Sequence, residues 1–142
     1  MKHYILSLLA VATFVFGAIS CKNVNNTDSS AAPAAKGQVK VYYFHGPHRC
    51  KTCMAIEALT KEVVSTCYAA EVKKGKVVFK SIDISTPEGE KLADSYEVSW
   101  SSLVLDKDGK RVNLTDMAFS YAKSEPDTFK SKLQAEINHL MK

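Results

Sequence analysis

The chain has no run of like charge longer than Lys73-Lys74, and its net charge is only +4. A basic stripe of the kind that tracks nucleic acid is therefore missing, and no nucleic-acid partner is expected. No apolar run reaches the roughly 20 residues a membrane-spanning helix needs. There is no internal repeat. No Gly-rich strand-to-helix fingerprint is present, so neither flavin nor nicotinamide is expected to bind. Charged residues at 24% and apolar ones at 46% exclude a wholly disordered chain and a polytopic membrane protein. Cysteine is scarce too, with four in 142 residues, yet their positions carry most of the chemical information.

Residues 1–20 read as a removable leader. Met1-Lys2-His3 is a short positive start, and Tyr4 to Ile19 (YILSLLAVATFVFGAI) is an apolar run. That is the length and flank of a signal peptide rather than an anchor. Ala18 and Ser20 are small residues suited to cleavage before Cys21. A cysteine at that cut resembles the lipobox of bacterial lipoproteins, in which the thiol is lipidated. The alternative is ordinary cleavage and a secreted soluble protein. Residues 21–37 continue as a polar, small-residue segment without apolar periodicity, expected to be a flexible tether behind the lipidated Cys21. These features place the expected protein in the bacterial cell envelope, lipid-anchored and facing the periplasm or the surface.

One domain is expected over residues 38–142, with a single sheet at its centre. Gln38 to His45 (QVKVYYFH) is rich in β-branched and aromatic residues and predicts a strand, ended by Gly46-Pro47. From Cys50 the period becomes helical. Ile56, Leu59, Val63 and Cys67 recur at spacings of three and four, with Glu57, Lys61 and Glu62 mostly on other faces, and the helix is predicted to run to about Ala69. Val77 to Ile84 is the second strand. Ser85, Thr86, Pro87 and Glu88 start a helix ending near Tyr96. Ser101 to Leu105 and Lys110 to Leu114 form a hairpin over Asp108-Gly109. Ser124-Glu125-Pro126 opens a last helix with the stripe Phe129, Leu133, Ile137 and Leu140. The fold class is therefore α/β, in the order β-α-β-α-β-β-α.

Cys50-Lys51-Thr52-Cys53 sits where the first strand gives way to the first helix. A thiol at a helix start meets unpaired N–H groups and the positive end of the helix dipole, which favour a thiolate. His48, Arg49 and Lys51 add positive potential around Cys50. Cys50 is the expected nucleophile and Cys53 the resolving thiol. Two other readings stay open for the pair. One is a static disulfide, which would close a tiny loop and stabilise little. The other is a zinc or copper(I) site using His45, His48, Cys50 and Cys53, all within HGPHRCKTC. Cys67 lies about 21 Å along a straight helix from Cys53. It is expected to be a buried, inert core cysteine.

This order of elements, with Cys-x-x-Cys at that junction, resembles the thioredoxin superfamily over about residues 38 to 142. The resemblance implies a mixed four-stranded sheet flanked by helices and a redox-active disulfide without another cofactor. It implies a protein disulfide or dithiol partner, and in an envelope a membrane electron donor or acceptor. Three positions depart from the thioredoxin pattern. Lys51-Thr52 replaces Gly-Pro between the cysteines. Tyr43 and Phe44 stand near the place of the buried acid in the first strand. Ser101 stands where the family has a cis-proline before the third strand, so a trans bond is expected. Trp100, the only tryptophan, is expected near the dithiol or in the core. The HGPHRCKTC segment and following helix are also similar to lipoprotein thioredoxin-like proteins of Bacteroidetes-type bacteria. Some of these are named as a nitroreductase subunit of the ArsF type, which implies electron delivery to a partner enzyme. A non-catalytic binding domain that retains the dithiol is the third class.

Overall fold

A computed structural model describes residues 36–142. The leader over 1–20, Cys21 and nearly all of the 21–37 tether lie outside the described residues. Strand β1 (Val39–His45) is the centre of the sheet. It pairs in parallel with β2 (Val77–Asp83) on one side and antiparallel with β3 (Ser102–Lys107) on the other. β3 continues into β4 (Lys110–Asn113), giving the order β2-β1-β3-β4. A central strand is covered on both faces, which is why its sequence reads as a near-continuous apolar run. Val39, Val41, Tyr43 and Phe44 are all fully buried. The β3–β4 turn is the two-residue loop Asp108-Gly109, with φ values of 53° and 89°. Those left-handed angles are what a type I′ turn demands and what Asp-Gly supplies.

The strand period of two splits β1 between two cores. Val39, Val41 and Tyr43 face helices α1 (Lys51–Cys67), α4 (Thr115–Tyr121) and α5 (Pro126–Met141). Tyr42 and Phe44 face α3 (Pro87–Ser95) with Ile82, Ala93 and Val98. Among the described residues, both cores are built from residues 39–141. α5 buries Phe129, Leu133, Ile137 and Leu140, the stripe read from its spacing. Each such side chain contributes about 1.5–3 kcal/mol on burial. This mixed four-stranded sheet with helices on both faces is the thioredoxin fold.

Three local expectations need correction. The first helix stops at Cys67, and a separate short helix α2 (Ala69–Lys73) follows. Tyr68 leaves helical geometry at φ −122°, ψ 24°. It drops into the core with its hydroxyl 3.1 Å from the Gln134 carbonyl and 3.0 Å from Asn138 Oδ1 on α5. Tyr68 thus takes the buried place that the stripe assigned to Cys67, and Cys67 is exposed. Finally, helix α4 was not expected. Asn113 Oδ1 accepts its first N–H, from Thr115, at 2.9 Å. Thr115 Oγ1 in turn accepts the Leu103 N–H at 3.2 Å, tying the helix to β3. No helix among the described residues is long and apolar enough to cross a membrane.

Candidate active site: a dithiol at a helix start

β1 delivers the chain to His45, whose carbonyl accepts the Ile84 N–H at 2.9 Å. Five residues later Cys50 caps α1 in an extended conformation, at φ −76° and ψ 162°. Its Sγ accepts the Cys53 N–H at 3.0 Å, so sulfur holds the place usually taken by a serine or aspartate oxygen. No acidic residue lies in the first turn of α1 to oppose negative charge on that sulfur. Cys50 and Cys53 are joined by a disulfide, with Cα atoms 5.0 Å apart. The two halves of the bond differ in access. Cys50 is exposed, whereas Cys53 is only 6% exposed and packs in the α1-side core with Tyr43 and Ile56.

Of the cations expected around Cys50, Lys51 and His48 are exposed. Arg49 is half-buried and forms an ion pair with Glu57. Its guanidinium carbon lies 6.0 Å from the centre of the Tyr43 ring, and its Nε is buried without a hydrogen bond. Burial would raise the Glu57 carboxyl, but hydrogen bonds from Ser81 and Arg49 and the nearby charges of Arg49 and His45 outweigh it. Glu57 is held below the usual carboxylate range. The Tyr43 hydroxyl is buried with no well-aligned hydrogen bond, its polar neighbours being the Ser101 hydroxyl and Arg49. Burial pushes its pKa up.

Helical periodicity placed Glu57 on a face away from the apolar stripe and gave it no role. Glu57 follows Cys53 by one helical turn, which puts the two near one face. Its partner Arg49 comes from the loop before the helix, so no spacing within the helix could reveal the pair. Tyr43 was noted only for not being an acid.

The remaining candidates are spread around this centre. His45 is half-buried, with Nδ1 3.0 Å from the Gly46 carbonyl and its ring 6.0 Å from that of Tyr43. His48 is exposed and does not join it. No group of three His, Cys, Asp or Glu side chains converges as a metal cage among the described residues. The histidine-cysteine cluster suggested by HGPHRCKTC is therefore not assembled. The pairing of Phe44 with Ser102 places Trp100 and Ser101 just beyond the end of β1, at the dithiol's end of the sheet. The Trp100–Ser101 peptide bond is trans. Trp100 is 58% exposed, with its ring 5.9 Å from Phe119 of α4. Met54, the residue after Cys53, is 50% exposed. Cys50 is exposed and lines neither of two surface recesses, one at Lys36–Gln38 and Lys74–Lys76 and the other between Ile84 and Ser99.

A thioredoxin fold carrying a Cys-x-x-Cys disulfide at the start of its first helix is thus the class of structure present. No protein-family model and no curated protein sequence matches the chain. Among solved structures it is similar to the germline-specific thioredoxin Deadhead of Drosophila melanogaster. That match has 21% identity, 73% of this chain and 82% of the other covered, and a TM-score of 0.49. The thioredoxin of Malassezia sympodialis matches at 19% identity over 77% of this chain and 80% of its own, with a TM-score of 0.49. An uncharacterized thioredoxin-like protein from Porphyromonas gingivalis matches at 16% identity over 74% and 76%, with a TM-score of 0.42.

Proposed function

We propose that the protein is a thiol–disulfide oxidoreductase acting on protein partners through Cys50 and Cys53. One observation carries this reading: Cys50, an exposed residue, caps α1 through its sulfur while its bonded partner Cys53 is buried. In the reducing direction, the Cys50 thiolate attacks one sulfur of a substrate disulfide. That bond breaks, one substrate thiolate leaves, and a Cys50–substrate disulfide forms. Cys53 then loses its proton and attacks Cys50 Sγ, releasing the second substrate sulfur as a thiolate. Two electrons have passed to the substrate and the Cys50–Cys53 disulfide is regenerated. The oxidising direction is the reverse. Negative charge on Cys50 is stabilised by the Cys53 N–H and the end of α1. The exposed Cys50, with Met54 exposed on the same helix and Trp100 exposed at the same end of the sheet, suits a protein segment better than an enclosed small molecule.

The proposed setting is the bacterial cell envelope, with Cys21 lipidated after loss of residues 1–20 and residues 21–37 as tether. Its support is the leader sequence and the cysteine at the cleavage position. In that setting a membrane electron donor or acceptor restores the working redox state, and the recipient of electrons is a partner protein or enzyme, as the lipoprotein resemblance implies.

Equilibration of the chain from residue 22 in glutathione buffers tests the central claim. A reversible two-electron couple is expected. Its position between about −270 mV and about −120 mV sets the direction of electron flow. Cys53→Ser should accumulate a mixed disulfide with substrate protein, and Cys50→Ser should not. A pair that stays oxidised under strong reduction, or exchange that survives Cys50→Ser, would refute the proposal.

A further inference from the structure

The end of the sheet opposite the dithiol is crowded with lysine. Strand register brings together there the starts of β1, β2 and β4 and the end of β3. Lys36, Lys73, Lys74, Lys76 and Lys110 are exposed at this end. Lys107 is half-buried and donates to the Leu140 carbonyl at 2.6 Å. Lys36, Lys74 and Lys76 line one open recess of about 320 Å³, with the backbone of Gly37 and Gly75 between them. Gln38 Nε2 donates to the Gly75 carbonyl at 2.8 Å, which fastens the 74–76 turn to the start of β1. The three lysines are thus displayed from backbone segments tied to each other. None of the three is in an ion pair among the described residues. Asp108 and Glu71 are the acidic side chains at this end among the described residues. Asp108 is engaged in accepting the Gly37 N–H at 2.9 and 3.1 Å.

We propose that this lysine-rich end is a membrane-contact surface that lies on anionic phospholipid headgroups and turns Cys50 away from the membrane. The proposal rests on the reading that the chain is anchored through Cys21. The chain that would lead from that anchor enters the fold at Lys36-Gly37, in the wall of the same recess. Fifteen residues, the length of 22–36, reach about 50 Å at full extension, and a coil of that length spans about 20 Å. A lipid surface is then always present at an effective concentration in the mM range. Modest attraction is enough to set orientation under that condition. Lysines are compact point charges suited to a layer of phosphates, and the shallow recess has no buried polar side chain to cage a single anion. Orientation has a functional consequence. With the lysine end down, the exposed Cys50 faces partners rather than lipid.

The test uses the chain from residue 22, which carries neither leader nor Cys21 and retains both cores. It is sedimented at low ionic strength with vesicles of phosphatidylcholine alone, or of phosphatidylcholine and phosphatidylglycerol in equal parts. Binding to the anionic vesicles only is expected. Lys36→Gln/Lys74→Gln/Lys76→Gln should weaken it by on the order of a hundredfold, at about fivefold per lysine. Lys61→Gln/Lys91→Gln/Lys123→Gln removes the same charge from elsewhere and should change binding by no more than about threefold. Equal loss in both triple variants would reduce the effect to net charge and overturn the surface. So would absence of binding to anionic vesicles. Competition by inorganic phosphate beyond that of chloride at matched ionic strength would replace the surface by a small-anion site. The mass of the mature chain from cells reports acylation of Cys21 separately, so failure of the anchor and failure of this surface are told apart.

Discussion

Arg49 and Glu57 are joined by an ion pair that ties the loop after β1 to the second turn of α1. Arg49, the cation just before Cys50, is therefore already neutralised, and its guanidinium sits near the Tyr43 ring. Thiolate stabilisation at Cys50 must then come mainly from the helix start and the exposed Lys51 and His48. Glu57→Gln would remove the carboxylate and leave the Arg49 charge unmatched. The unmatched cation nearby should favour the Cys50 thiolate and make the thiol more acidic. The reduced form would gain, and the couple should become more oxidising, a tenfold gain corresponding to about 30 mV. The pH dependence of Cys50 alkylation reads the first change, and glutathione equilibration reads the second. An unchanged or higher thiol pKa would mean that Arg49 does not reach Cys50.

Trp100 offers a separate handle on substrate docking. It is the most exposed large apolar side chain at the dithiol's end of the sheet and rests on Phe119. Trp100→Ala should cost little stability, about 0.5 kcal/mol, since a mostly exposed residue gives up little burial. Loss of an aromatic contact with a bound protein segment should raise KM for a protein disulfide by about tenfold. Reaction with a small disulfide should be unchanged. Equal effects on both substrates would point to a disturbed dithiol instead.

Much of this was legible from residue order, and the misses have physical causes. β-branched and aromatic runs marked the strands, the Asp-Gly pair marked the hairpin, and the Phe129–Leu140 stripe marked α5, because each is a local signal. Cys-x-x-Cys at the junction of β1 and α1 marked the dithiol. Cys67 was misread because its spacing fits the stripe, while the break at Tyr68 depends on α5 being there to receive that ring. Helix α4 escaped because seven residues with two buried positions carry no clear period. The Arg49–Glu57 pair escaped because it joins a loop to a helix. The metal reading rested on nearness in sequence, and among the described residues no group of three or more candidate ligands converges.

Gly89 is required by packing rather than by backbone angle. It lies in the first turn of α3, and a Cβ there would overlap the Asp83 carbonyl oxygen, with the Asp83 carbonyl carbon at 2.7 Å and Thr86 Oγ1 at 2.9 Å. Thr86 Oγ1 also accepts the Gly89 N–H at 3.1 Å, so the clash falls on the helix cap itself. In an open helix, Gly→Ala gains about 1 kcal/mol. Here backbone must move, at a cost of about 1–3 kcal/mol together with part of the cap. Gly89→Ala should therefore destabilise by about 1–2 kcal/mol in urea denaturation. A stabilised variant would show that α3 shifts freely.

Asp106 gives the fold an acid-sensitive joint. It is 3% exposed in β3, and its carboxylate accepts the Tyr96 hydroxyl and the Gly109 N–H at 3.0 Å. Lys40 and Arg111 each stand 3.9 Å away. Burial alone would raise its pKa, but the two hydrogen bonds and two cations outweigh burial and hold it below the ordinary aspartate value of 3.8. A lowered pKa in the folded state means stability that is fully present above the unfolded value and lost as pH falls through the folded one. Asp106→Asn should cost about 2 kcal/mol at neutral pH. The gap between variant and parent should narrow once pH drops below about 4, where the unfolded aspartate takes up its proton. Urea midpoints measured at neutral pH and near pH 3 check this directly. A gap of the same size at both would assign the loss to packing of the hairpin rather than to the charge of Asp106.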